Sequence, residues 1–255
     1  FTEVAKESSG LVLTNNSFGV IVFAVSEGRR IVENIRKTIA YLLSTSLSEV
    51  VVIMCAILLA LPIPFLPTHI LWANLVEEGL MNFAYIFDPL QKNKSQHSTK
   101  TYKKIITKKL LLTTFTIAVI NGLMFLLVFY WLNQGDFSEE KLRSMMFAIL
   151  SVDSIFTALA LRSLDTPIYK IPFFSNPFML FSLVVSFGAF AFAIFTPFMR
   201  TLLHLEPFTV NDLLIVFAFG FVNLVVVEVV KFFSHRSYKD DYHDGQKQQM
   251  LAKSA

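Results

Sequence analysis

Residues 68–87 read THILWANLVEEGLMNFAYIF, and two adjacent glutamates, Glu77 and Glu78, sit in the middle of this otherwise apolar run. About 20 helical residues span the ~30 Å hydrocarbon core of a bilayer. An ionisable side chain at that depth costs on the order of 2.5–3.5 kcal/mol on insertion scales, so it is kept for a use. The stretch therefore predicts a membrane-spanning helix carrying functional carboxylates.

The rest of the chain agrees with that reading. Of its 255 residues 54% are hydrophobic and only 16% charged, with 27 phenylalanines and a mean hydropathy of +0.58. A soluble domain has roughly 25% charged residues. Six apolar segments stand out, at about 39–61, 68–87, 109–132, 144–163, 177–199 and 210–233, each long enough to cross a bilayer. The expected fold is an all-α integral membrane protein with six transmembrane helices in a bundle. Pro62, Pro64 and Pro67 make a tight turn between the first two segments, which become an antiparallel hairpin. The single cysteine, Cys55, lies within the first segment and excludes an internal disulfide framework.

Lysine and arginine orient the bundle. Of the 22 such residues, Lys141, Arg143 and Arg200 alone fall in loops on one side, and the rest lie with the termini and the basic 88–109 loop. The positive-inside rule puts both termini in the cytoplasm. Residues 1–16 hold a short apolar run, Leu11-Val12-Leu13, expected as a buried strand. Ser17 then caps a helix, whose apolar positions recur at Val20, Ile21, Val25, Ile31, Ile35 and Ile39. With Gly28 its only interior glycine and no proline before Pro62, it is expected to run unbroken from about 17 to 60, roughly 65 Å. Residues 17–38 form a cytoplasmic stalk ahead of the membrane, and 39–233 form the membrane domain. The tail 234–255 is expected without regular structure, and no N-terminal signal peptide is visible.

Glu49 lies in the first span and Asp153 in the fourth, with Ser46 one turn before Glu49 and Asn74 one turn before Glu77 and Glu78. In a hairpin these stripes face each other at mid-depth. Hard cations such as calcium take several oxygen ligands from carboxylates, amides and carbonyls, and Ser46, Glu49, Asn74, Glu77, Glu78 and Asp153 supply that chemistry. Gly79 permits local unwinding that frees backbone carbonyls. Asp153 has an alternative as a polar helix contact with Ser151 and Ser154. Asn121 and Asn223 read as interhelical hydrogen-bond partners, and Glu228 with Lys231 as an end-of-span pair. Contact with membrane lipids is expected, particularly anionic lipid at the basic loop; no nucleic-acid partner is. No glycine-rich phosphate loop, His/Cys metal cluster or nucleophile–base pairing is present in the sequence.

The same residues resemble the C-terminal region of P-type cation-transporting ATPases, in the branch of the calcium and sodium-potassium pumps. Thr2-Glu3-Val4-Ala5-Lys6-Glu7 resembles the end of their phosphorylation domain, and Ser17-Phe18 through Glu27-Gly28-Arg29 the segment that follows. Asn34-Ile35-Arg36-Lys37 and Ser48-Glu49-Val50 are similar to their fifth transmembrane helix. Leu71-Trp72 through Gly79 resembles the sixth, with Phe87-Asp88-Pro89 its exit, and Phe173 through Pro177 resembles the entry to the ninth. The resemblance implies ion coordination by Glu49, Asn74 and Glu78. It also implies phosphorylation, nucleotide-binding and actuator domains with helices 1–4 upstream, where Mg-ATP is used. The chain itself is then expected to carry no catalytic residue.

The chain departs from the family at several positions. Ser46 stands for a common asparagine, Glu77-Glu78 for Thr-Asp, and Ser154, with Asp153 beside it, for the glutamate calcium pumps carry in helix 8. The expectation is thus the membrane half of an ATP-driven cation pump, calcium first among ions. A stand-alone channel or ion-coupled transporter, and a non-transporting membrane subunit, remain as alternatives.

Overall fold

In the computed structural model, the described backbone comprises residues 7–8, 18–89, 105–135 and 137–254, with backbone alone beyond residue 234. The expected strand at 11–13, the Ser17 cap and most of the basic loop lie outside the described residues. All regular structure among the described residues is helical.

Helix α1 (Phe18–Leu58) is continuous for 41 residues, about 62 Å at 1.5 Å per residue. It ends where Ala60 turns left-handed at φ 52° and the Leu61 amide donates to the Ala56 carbonyl at 2.9 Å, a closure that satisfies the last-turn carbonyls. None of residues 19–32 is buried; burial begins at Glu33 and Asn34. The first third of α1 thus projects from the bundle as an arm.

The second expected span is not a uniform helix. It consists of α2 (Pro67–Trp72), a π-helical segment π1 (Ala73–Glu78) and α3 (Gly79–Ile86). Pro67 occupies the first turn of α2, where a missing amide costs nothing. Gly79 does not unwind: its φ and ψ of −55° and −47° are those of an ordinary helix. The distortion instead occupies the turn before it, as an i→i+5 widening of the kind that recurs at functional sites.

Four more long helices complete the bundle: α4 (Lys108–Asn133), α5 (Glu139–Ala160), α6 (Pro177–Phe195) and α8 (Val210–Ser254), with a short α7 (Pro197–Leu203) between the last two. Each start has a local cause. Thr107, Ser138 and Asn176 accept from the amides of Leu110, Lys141 and Met179 at 3.2, 3.0 and 3.1 Å. Thr209 and Asp212 exchange reciprocal bonds before α8.

Five helices, α1, α4, α5, α6 and α8, are each long and apolar enough to cross a membrane. The second expected span, 68–87, is helical but broken as α2–π1–α3 and is not one of the five. Helix α5 is the centre: 83% of its apolar window is buried, against 28–39% for the others. It packs on α8, and α1 packs on α4. There a Cβ on Gly122 would fall 2.6 Å from the Val51 Cβ and 3.0 Å from the Ser48 carbonyl, so the helices close on a glycine. The α8 backbone continues to Ser254, where irregular structure was expected from 234; no proline follows Pro207 to stop it.

Candidate functional site

π1 presents its polar residues to two different neighbours. Successive side chains on a helix point in different directions, and Glu77 and Glu78 turn to different helices. Glu78 turns to α1, where the Thr45 hydroxyl donates to its Oε2 at 3.1 Å, with Glu49 one turn further along the same helix. The Asn74 amide lies beside the Glu49 carboxyl. Glu77 turns to α5, towards Ser151 and Ser154, with Trp72 alongside.

Every one of these acids is buried: Glu49 is 5% exposed, Glu77 0%, Glu78 1% and Asp153 2%. Buried polar atoms are ordinarily hydrogen-bonded. Here Glu49 Oε1, Asn74 Oδ1, both carboxylate oxygens of Glu77 and Glu78 Oε1 lack a hydrogen-bond partner among the described residues, as does Ser151 Oγ. The unpartnered oxygens concentrate on π1 and the facing surfaces of α1 and α5. No group of three or more His, Cys, Asp or Glu comes together as a metal cluster among the described residues, so the donors are spread between carboxylates, amide and hydroxyl.

Two expected members stand apart. Ser46 is exposed on α1, and Thr45 is the hydroxyl that meets Glu78; positions 45 and 46 lie one turn from Glu49 alike, so spacing does not separate them. Asp153 faces α8 and accepts from Asn223 Nδ2, which also donates to Thr157 Oγ1 at 3.2 Å. The Ser154 hydroxyl, beside it, donates to the Ser151 carbonyl at 2.9 Å. Asn223 is thus the interhelical link expected of it. Asn121 is buried, but neither atom of its amide has a partner among the described residues. Glu228 and Lys231 pair at 2.6 Å.

A second polar centre was read only as a helix exit. Asp88, just past α3, accepts from Lys37 Nζ of α1 at 2.8 Å, Arg162 Nε at the end of α5 at 3.2 Å and Asn176 Nδ2 at the start of α6 at 2.9 Å. Its carbonyl accepts from Asn34 Nδ2 at 3.0 Å. The side chains of Lys37, Asp88 and Arg162 are 2–4% exposed. Above it on the projecting arm, Glu27 pairs with Arg30, whose hydrogen bond holds the exposed carboxyl below its usual range.

Residues 62–233 match the family model described as the C-terminus of cation transporting ATPases. A calcium-transporting ATPase of Bacillus subtilis is 32% identical over 220 residues, covering 84% of this chain and 24% of the relative. Calcium-transporting ATPase 1 of Bacillus cereus is 30% identical over 246 residues, covering 90% and 28%. Cation-transporting ATPase pma1 of Synechocystis is 32% identical over 164 residues, covering 64% and 18%. The chain spans about a quarter of the length of the first two.

Proposed function

Because this chain belongs to the family formed by the C-terminal regions of cation-transporting ATPases, we propose that it is the membrane half of an ATP-driven P-type pump with calcium as the transported ion. The observation that carries the proposal is the set of buried, unpartnered oxygens on Glu49, Asn74, Glu77 and Glu78. Calcium takes six to eight such ligands in flexible geometry, and gathering them round a π-turn leaves that segment able to adjust. Glu49, Asn74 and Glu78 form the α1 side of the site and Glu77 with Ser151 and Ser154 the α5 side. Ser46 and Asp153 stand at its margins. The names of the Bacillus relatives support calcium.

In this reading both termini lie in the cytoplasm, and ATP is hydrolysed by domains that this stretch of chain does not contain. Their movement reaches the site along α1, because one unbroken helix carries the projecting arm at its start and Glu49 near its end. Tilting α1 changes the separation of Glu49 from Glu78 and so the affinity for the cargo. Neither a stand-alone channel nor a non-transporting subunit gives a use to both the arm and the buried acids of this chain.

The test uses the full-length protein. Glu49→Gln and Glu78→Gln are each expected to raise the calcium concentration for half-maximal phosphoenzyme formation at least ~10-fold, since a hydrogen bond or ligand contact to a charged group contributes about 1.5–3 kcal/mol. Wild-type calcium dependence in both variants overturns the assignment. Replacing calcium by manganese or sodium in the same assay tests the choice of ion.

A further inference from the structure

α1 and the α2–π1–α3 chain run antiparallel and are joined at two levels. At the site, Thr45 Oγ1 donates to Glu78 Oε2 at 3.1 Å. Lower down, Lys37 Nζ donates to Asp88 Oδ2 at 2.8 Å, and Asn34 Nδ2 donates to the carbonyls of Ile86 and Asp88 at 3.2 and 3.0 Å. The two levels are ~12 Å apart along α1. The lower one stands where α1 first becomes buried, immediately below the arm. Any displacement of the arm therefore meets this junction before it meets the acids.

The junction divides into two halves. Arg162 and Asn176 hold Asp88 Oδ1 at 3.2 and 2.9 Å, and Arg162 Nη2 also donates to Ser175 Oγ at 2.7 Å. These residues tie the end of α3 to α5 and α6, which are not part of the arm. Lys37 holds the other oxygen, Oδ2, from α1. One carboxylate is thus shared between the central bundle and the helix that carries the arm. Without Lys37, Asp88 and Arg162 still form a charge-balanced pair.

A buried ion pair adds little net stability over apolar side chains of equal volume, and its best-attested use is to fix register. We propose that Lys37 is a positioning residue which, through Asp88, locks the register of α1 against α3 and so transmits movement of α1 to the acids of π1. This rests on the pump reading above. Lys37 touches no cargo in this scheme: its effect falls on the linkage between ATP use and ion movement.

The experiment measures calcium transported per ATP hydrolysed by the full-length protein in sealed vesicles, together with equilibrium calcium binding. Lys37→Met is expected to leave calcium affinity within about 3-fold and to lower the transport-to-hydrolysis ratio about 5-fold or more, the lower end of the range for coupled sites. Lys37→Arg, which keeps the charge, restores the ratio. Asn34→Ala removes the bonds to the Ile86 and Asp88 carbonyls and one acceptor of Lys37 Nζ but leaves the Lys37–Asp88 ion pair in place, and lowers the ratio in the same direction should Lys37→Met not assemble. An unchanged ratio in Lys37→Met or, failing its assembly, in Asn34→Ala overturns the proposal. So does a parallel loss of binding and transport, which marks a merely structural contact. Absence of ATP-driven uptake by the wild type is a different failure, and removes the pump reading itself.

Discussion

Asp88 and Glu77 are both buried carboxylates on the same stretch of chain, and their surroundings are opposite. Asp88 has two cations and an amide on its oxygens and a further amide on its carbonyl. Glu77, less than one helix length away, has no hydrogen-bond partner on either oxygen among the described residues. A protein that stabilises one acid so fully can satisfy acids in this environment. The bare oxygens of Glu77, and the single bare oxygens of Glu49 and Glu78, set these acids apart from Asp88 and are what the proposed cation site rests on. Charge burial alone does not separate structural from functional acids in a membrane bundle. The number of hydrogen bonds each acid accepts is what differs between these two regions.

The comparison breaks most visibly at Asp88. Asp88→Ala takes the acid from between the buried Lys37 and Arg162, and removing one partner of a buried pair costs about 3–5 kcal/mol. Thermal unfolding in detergent should show a large loss, with little assembled protein recovered. A variant within about 1 kcal/mol of wild type would mean that water or lipid headgroups reach the cluster, and that Asp88 is no better held than Glu77. Asn176→Ala is a milder cut. It removes one donor from Asp88 Oδ1, another from the Ala84 carbonyl and the cap of α6, for an expected loss of about 1–2 kcal/mol by the same measurement. Asp88 keeps both cations in that variant, so both ion pairs survive.

The two regions also differ in how far they can be read from sequence. The acids proposed for the site stood out in the sequence because they lie within long apolar runs, Glu49 alone and Glu77 with Glu78 as an adjacent pair, where an ionisable residue is a signal by itself. Asp88 did not, because its partners Lys37, Arg162 and Asn176 are 51, 74 and 88 residues away, and at the end of a span a charge is unremarkable. Long apolar runs made the helices legible, while the π-turn had no compositional mark: the residues of Ala73–Glu78 would suit an α-helix equally well. Gly79 drew the expectation of unwinding to itself, but it packs as ordinary helix and the widening lies one turn earlier. Ser46 and Thr45 differ by one residue, or about 100° of helix. Only the packing of α1 on its neighbours selects which hydroxyl turns inward. Asp153 and Ser154 pose the same problem on α5, where contact with α8 gives Asp153 to Asn223 while the Ser154 hydroxyl stays on its own helix with the Ser151 carbonyl.

The smallest effect on stability is expected at Glu77 itself, and it bears most directly on the site. Glu77→Gln keeps the shape and breaks no hydrogen bond formed with the described residues. With calcium removed by a chelator, its melting temperature should match or slightly exceed that of the wild type, since no fixed donor is lost and a buried acid is removed. Calcium then separates the two proteins. A ligand at 100 times its dissociation constant stabilises the form it binds by about 2.7 kcal/mol, so calcium should raise the wild-type melting temperature clearly and that of Glu77→Gln less. A chelator-state loss as large as that of Asp88→Ala would place Glu77 among the structural acids, and its bare oxygens would no longer distinguish the centre of the bundle from its end.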